Sequence, residues 1–515
     1  MHTGGYVMRK FWRVGLVLVI ALGACSDKKA EQAAALKQEI QDTLAKASAS
    51  GGQKLFTYGE VAVAPDGDAF AVTVDKVAVT LPDTAPLDLG KIGFKVTPEG
   101  DDVRKFSDVS VPQTIVVKGA DGKEEGKATL ALGHANGSWS KKMTQLLEAD
   151  ILLKNLEVTQ ASSGDKLIAS DVAYQLQSKD GGQGIFDQQA NVGSKLMSIA
   201  GKDGQIAIAD FKITSDVGGA KLAELMALRA EWQKASESKK SGALLPLVTK
   251  TFQLFKTMKF ALSTSQTTVS TGGTTVFSLG GFGFDFGMQD VDQPKVKLGS
   301  TLRYAALSIP QIKDLVGSLG AEVLPTDFNM TLSIADLPLP AILASWAKTL
   351  PDANVTDENA MMGTGMIAAG VAMQAIQQAA VKIALTDGKL KAPGLSGSFT
   401  GDLNNDPKAA MGFTGTADVE LSDLEAVIAK GQQFADEPTT PQILGVLQVM
   451  RGLSDRNTDA AGKPIDRFKI TFDAAGNTLI NGKSLEPPAP PPTEQPSTEP
   501  PSNGDQPSTG QPSGN

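Results

Sequence analysis

The stretch Phe282-Gly283-Phe284-Asp285-Phe286-Gly287-Met288 decides the fold. Large apolar side chains take every second position and glycine or aspartate the positions between, which is the pattern of a strand with one apolar face and one small or polar face. It is the clearest period-two signal in the chain. Val296, Leu298, Leu302 and Tyr304 follow, then Phe328, Met330, Leu332 and Ile334, and later Met411, Phe413, Val419 and Leu421. Upstream, from Lys54 to about Ser215, shorter candidates come at Ile92 to Val96, Thr114 to Val117, Ala128 to Leu132, Ile168 to Leu176 and Gln205 to Ile213, separated by Gly, Asp and Pro turns. Half-apolar strands joined by short turns pair antiparallel. The crossover helices that a parallel sheet needs are missing from this half.

Twice the alternation changes parity. Phe70, Val72 and Val74 share a face, but Val77, Val79 and Leu81 continue on the opposite one; Ile151 and Leu153 give way to Leu156 and Val158 in the same manner. Each switch implies a bulge, or a strand passing from one environment to another.

Helical spacing surrounds these strands. Ala30 to Ala47 carries Leu36, Ile40 and Leu44 at intervals of four, one narrow apolar stripe suited to a tether or a short packing helix. Lys221 to Lys239 and Leu244 to Met258 predict a helical hairpin broken by Ser241, Gly242 and Pro246. Leu307-Ser308, Leu332-Ser333 and Leu421-Ser422 read as strand ends turning into helices, with Gln311 and Glu425 as capping-box partners of Ser308 and Ser422. Met361 to Leu385 predicts an amphipathic helix, Gln374, Gln377, Gln378 and Lys382 on one face and Met366, Ile367, Val371, Ile376 and Ile383 giving apolar surface. The expected class is therefore α+β: a β-rich, long twisted antiparallel sheet, with amphipathic helices packed on one face in the second half.

Composition removes several functions. Hydrophobic content of 41% with 5% aromatics gives an aliphatic core. The net charge of −9 becomes −12 once Arg9, Lys10 and Arg13 are set aside, a balance opposed to nucleic acid. Only His2 and His134 exist, so cofactors are expected to be none and metal sites built on paired histidines are excluded. His134, in Gly133-His134-Ala135-Asn136-Gly137, reads as a strand end entering a turn. Gly280-Gly281-Phe282-Gly283 lacks the lysine and hydroxyl of a phosphate loop.

Arg9, Lys10 and Arg13, the apolar run Val14 to Ala21, and Leu22-Gly23-Ala24-Cys25 resemble a bacterial lipoprotein signal. The resemblance implies cleavage before Cys25 and lipid attachment at Cys25, which also removes the hazard of a lone thiol outside the cytoplasm; an ordinary secretory signal or an uncleaved anchor is the alternative. With Ser26 rather than aspartate next, it implies the outer membrane, facing the periplasm. At the other end, 10 of the 27 prolines lie in Glu486 to Asn515, a segment too polar to fold. The expected organisation is 1–24 signal peptide, 25–53 lipid anchor and helical tether, 54–215 antiparallel β-rich region, 216–485 mixed strand and helix continuing the sheet, and 486–515 disordered tail.

With Thr386-Asp387-Gly388-Lys389-Leu390 and the closing Gly476-Asn477-Thr478-Leu479-Ile480-Asn481-Gly482, the alternation from Leu55 to Leu485 resembles uncharacterised bacterial envelope lipoproteins distantly similar to AsmA-like and YdgA-like proteins. That likeness implies a long antiparallel sheet with an apolar concave face, and it carries over no catalytic residue. The expected function is non-enzymatic: binding lipid or another apolar ligand in a groove between sheet and helices, with Phe282, Phe284, Phe286, Met288, Met366 and Val371 as groove residues and a membrane, a lipid and an envelope protein as partners. The alternatives are a structural or assembly scaffold of the envelope, whose core would be filled, and a hydrolase using paired carboxylates or a Ser-Lys pair.

Overall fold

The computed structural model describes residues 29–48, 56–79, 87–118, 123–143, 145–238, 241–349, 358–459 and 462–484; the N-terminal signal, Cys25 and the proline-rich tail lie outside the described residues. Among the described residues the alternation forms one sheet of 24 strands, antiparallel at its pairings. It runs as a meander, each strand pairing mainly with the next in sequence. Its widest part holds Glu124–Ser140, Gln145–Gln160, Lys166–Gly182, Ile185–Gly201 and Gly204–Lys221. The border expected at 215 falls inside the last of these strands. The second half continues through Thr257–Thr264, Gly281–Gln289, Val296–Ala305, Asp327–Leu337, Lys382–Lys391, Ser396–Asn405, Phe413–Ser422 and Pro464–Phe472.

Register explains the parity switch at Ile151 to Val158. Thr257–Thr264 and Gln266–Thr271 pair with Gly204–Lys221 in one continuous register, so they are a single long strand interrupted at Ser265. Thr274–Leu279 and Gly281–Gln289 are likewise one strand interrupted at Gly280. These interruptions lie on a line. Gly133, Lys154, Asp171, Lys195, Asp210, Ser265, Gly280 and Ala306 all drop out of the ladder at facing positions or within one residue of them. Asp171 and Asp210 take φ of 46° and Ala306 takes 51°. Aspartate tolerates the left-handed region better than most residues, its short side chain bonding locally; Asp210 accepts the Ser265 hydroxyl at 2.7 Å, and Asp171 accepts Lys154 at 3.1 Å. The sheet is thus creased across successive strands. Leu156, Val158 and Leu167 beyond the crease join the same core cluster as Ile151, Tyr174 and Leu176 before it, so the switch in the sequence keeps apolar groups on one side of a bent sheet.

Eight helices stand among the described residues: α1 (Lys29–Ser48), α2 (Leu222–Ser238), α3 (Ser241–Phe252), α4 (Ile312–Val323), α5 (Leu339–Thr349), α6 (Glu358–Gln378), α7 (Leu424–Gln432) and α8 (Thr440–Leu453). Of the two roles open to α1, the structure shows packing: Leu36 and Ile40 are 0% exposed, and with Ala33 and Leu44 they fill the core formed by Phe70, Val72, Val74, Phe94 and Val96. Arg104 closes the edge of this core. At 1% exposure it donates to the carbonyls of Gly100, Asp101 and Val103. α2 packs on α3, α3 on α5 and α5 on α6, all in connections at one end of the strands; α4, α7 and α8 pack together at the other.

Several local expectations are corrected. Pro246 lies inside α3 rather than between two helices, and Met258 belongs to a strand. Ile383 is also in a strand, because the helix over Met361 to Leu385 ends at Gln378. None of the three serines caps a helix: Ser308 exchanges backbone hydrogen bonds with Ser278, Ser333 is inside Asp327–Leu337, and Ser422 ends a ladder with Ser396 and Ile465. Gln311 and Asp423 occupy the N-cap positions of α4 and α7 without a side-chain cap bond. The cap in this region comes from afar. α4 breaks at Gly317 (φ 76°), and the Glu437 carboxylate accepts both the backbone N–H and the hydroxyl of Ser318 at 2.6 Å. Those two bonds, the hydroxyl first, hold Glu437 below the usual carboxylate range. His134 sits within Glu124–Ser140 rather than at its end, its Nε2 3.1 Å from Asp150 Oδ2.

Candidate functional site

Partners directly opposite in a ladder share a face, so register sorts the second half of the sheet into rows. One row reads Met258, Met288, Leu298, Ile334, Ile383 and Leu403. The next contains Phe260, Phe286, Leu332 and Leu385; then come Leu262, Phe284, Leu302 and Met330; the last before the crease holds Phe282, Tyr304, Phe328 and Leu390. The intervening rows are small or polar. One reads Lys259, Gly287, Gly299, Ser333 and Asp402, another Ser263, Gly283, Arg303, Asn329, Lys389 and Ser398. The rows therefore make one face apolar and the other hydrophilic across six strands, with a bulge at Asp387 (φ 53°) changing the parity within Lys382–Lys391 so that Leu390 stays on the apolar face.

Two buried clusters join strand residues to helix residues near the ends of these strands. Met288 and Val296 are buried with Phe252 of α3 and Leu339 of α5, while Leu421 and Phe468 are buried with Leu319, Leu424 and Leu447 of α4, α7 and α8. These are two separate clusters. Phe284, Leu302, Met330, Leu332, Leu385 and Phe399 lie in the rows between, half-buried and part of neither. Phe328 stacks on Tyr304 at a centroid distance of 5.7 Å and tilts against Phe399 at 6.0 Å.

Of the expected groove residues, Phe282, Phe284, Phe286 and Met288 project from one face of one strand, with Met288 buried at its end. Met366 and Val371 are on α6; Met366 is 75% exposed, so it does not line an enclosed groove with the phenylalanines.

The concavities lie elsewhere. Concavities of about 810, 510 and 330 Å³ open among the described residues, and residues of the hydrophilic rows predominate in each of these. The smallest is framed by Asp171, Gln175, Asn191, Lys195, Asp210 and Lys212 beside the crease. The second has Asp216, Lys259, Asp285, Thr301, Thr331 and Ser333. The largest reaches the last apolar row through Phe282, Tyr304, Phe328 and Leu390, but carries Arg303, Lys389, Lys391, Ser396, Ser398 and Ser422 as well. Burial, and then the negative charge of Asp327, push the Tyr304 hydroxyl above its ordinary range. Lys389-Leu390-Lys391 and Ser396-Gly397-Ser398 are period-two patterns as regular as the phenylalanine run, with the hydrophilic parity carrying the larger groups. Reading only the apolar parity passes over them.

Among the described residues no group of three or more His, Cys, Asp or Glu side chains could hold a metal ion. Among the same residues no helix is long and apolar enough to cross a membrane, a statement that does not bear on spanning strands. No family model, curated protein or solved structure matches the chain.

Proposed function

We propose that the protein is a non-enzymatic lipoprotein of the bacterial envelope, anchored through Cys25 to the outer membrane on its periplasmic side, that holds the acyl part of a lipid against its apolar rows. In this reading the helices of the second half roof one face of the sheet at both ends and leave its middle to the ligand. The supporting observation is the gap between the two buried clusters, where Phe284, Leu302, Met330, Leu385 and Phe399 stay half-buried. Complete burial of one such side chain is worth about 1.5–3 kcal/mol, so an apolar chain that dries several of them has a driving force no polar ligand has there. A scaffold role is the second reading. It is favoured by Met366 and Met373 on α6 and by Val446 and Val449 on α8, all exposed.

Mass spectrometry of protein extracted from its native membrane separates the two, and the same spectra read whether Cys25 carries acyl chains. The expected result is a stoichiometric lipid on the wild type and its loss in F284E/M330E, with strand content by circular dichroism unchanged. No bound lipid on the wild type, or equal lipid on the variant, refutes the lipid reading.

A further inference from the structure

We infer that the 810 Å³ cavity on the hydrophilic face is a second binding site, for the phosphate ester of a polyol, with Lys389 and Lys391 holding the phosphate and Ser396, Ser398 and Ser422 the hydroxyls. The proposed contacts come from rows opposite in parity to the apolar ones, and their variants leave the acyl-binding rows untouched.

The first argument is which charges remain free. Arg303 is paired with Asp285, and Glu420 with Arg467 at 2.8 Å. Asp327 accepts the Thr326 hydroxyl at 2.8 Å and the Ala306 N–H at 3.3 Å, and Asp459 accepts the Lys463 N–H at 2.8 Å. Lys391 lies opposite Asp327 in the ladder without closing an ion pair, and Lys389 lies opposite Asn329, whose amide is turned to the Asp387 carbonyl. Neither lysine has an ion-pair or hydrogen-bond partner for its ammonium among the described residues. Arg303 and Glu420 each have a counter-ion, Asp327 and Asp459 are hydrogen-bonded and keep their charge, and the ammoniums of Lys389 and Lys391 have no partner among the described residues.

The second argument is spacing. Lys389 and Lys391 are two residues apart on one strand, so their side chains leave one face about 7 Å apart, and their flexible stems converge on one tetrahedral anion. Ser398 and Ser396 face them directly across the next ladder, and Ser422 faces Ser396 in the one after. Their hydroxyls make no hydrogen bond among the described residues. Two ammoniums beside three free hydroxyls match a ligand with one anionic group and several alcohols. The volume lies in the range of small-molecule sites, about 300–1,000 Å³, and far exceeds a bare anion.

Such an ester could be free or the headgroup of a lipid, and the test separates these sources. Full-length protein is titrated by calorimetry with glucose 6-phosphate, inorganic phosphate and glucose, and with the soluble short-chain lipids dihexanoyl phosphatidylglycerol and dihexanoyl phosphatidylcholine. Saturable binding of glucose 6-phosphate, tighter than of inorganic phosphate and absent for glucose, supports the free source. Saturable binding of dihexanoyl phosphatidylglycerol, absent for dihexanoyl phosphatidylcholine and tighter than glucose 6-phosphate, supports the headgroup source. In either case K389Q/K391Q must weaken binding by about 100-fold, two charge-assisted contacts at about tenfold or more each, while K297Q, beside the second cavity, must not. S396A/S398A is the second variant, expected to weaken the ester and leave inorganic phosphate unchanged. Absence of binding to every probe, or binding retained in K389Q/K391Q, overturns the proposal.

Discussion

Replacing Leu36 by alanine tests whether α1 is part of the fold or an appendage to it. The side chain is wholly buried against the first strands, so the substitution deletes three carbons from a packed interior. At about 0.8 kcal/mol per methylene the transfer loss is about 2.4 kcal/mol, and the unfilled space raises the total to about 3–5 kcal/mol. Alanine's better helix propensity returns only a few tenths of a kcal/mol. Taking about 3 kcal/mol, amide protection in Ala69–Val79 and Leu87–Glu99 should fall by about 100-fold in hydrogen exchange under conditions where reclosing outpaces exchange. Protection in Val296–Ala305 should not move, because that strand contributes to a different buried cluster. Glu31→Ala, on the exposed side of the same helix, serves as the control. If Leu36→Ala leaves Ala69–Val79 within about threefold of wild type, the burial reasoning for α1 is wrong.

Arg104→Met should cost about 1–2 kcal/mol in urea unfolding of the N-terminal region, since the buried guanidinium donates to the part-buried carbonyls of Gly100, Asp101 and Val103; a loss under about 0.5 kcal/mol would show that water replaces the guanidinium. Glu437 sets a pH dependence. Its folded pKa is lowered, by the Ser318 hydroxyl and then the Ser318 N–H, so its contribution is present above the ordinary glutamate value and is lost as pH falls through the folded one. Thermal melts from pH 7 downward should show E437Q with a flatter acid limb than wild type, and parallel limbs would refute the assignment. Glu39 acts in the opposite sense. Burial raises its pKa, so the stability linked to its protonation is present below the ordinary value and declines as pH rises through the folded one.

Much of the sheet was legible because alternation is a direct imprint of the pleat. The phenylalanine run, the strands near Val296 and Phe328, and the parity change between Leu153 and Leu156 each have a structural counterpart, the last being the crease at Lys154 and Asp171. The crease itself was not legible as a line, since it depends on the register of successive strands and no local signal at Ser265 or Lys195 announces it. Helix starts failed for a related reason. Ser308 and Ser422 carry the composition of a cap, but ladder hydrogen bonds had already claimed their backbones, and the cap for α4 arrives from Glu437, 119 residues away from Ser318. Attention to apolar parity also hid the hydrophilic rows around Lys389 and Ser398, although the two sets are complementary readings of the same strands.

The interrupted ladder gives the molecule a line of weakness that the rest of the sheet lacks. Along it the regular ladder gives way to single backbone bonds, such as Ser265 N–H to the Ala209 carbonyl and Gly280 N–H to the Ala305 carbonyl, while the register on either side stays continuous. Two of the concavities border that axis, one through Asp171, Lys195 and Asp210, the other through Gly281 and Ala305. The bend thus sets the shape of both mouths at once, as one spine sets the angle of two leaves of a book.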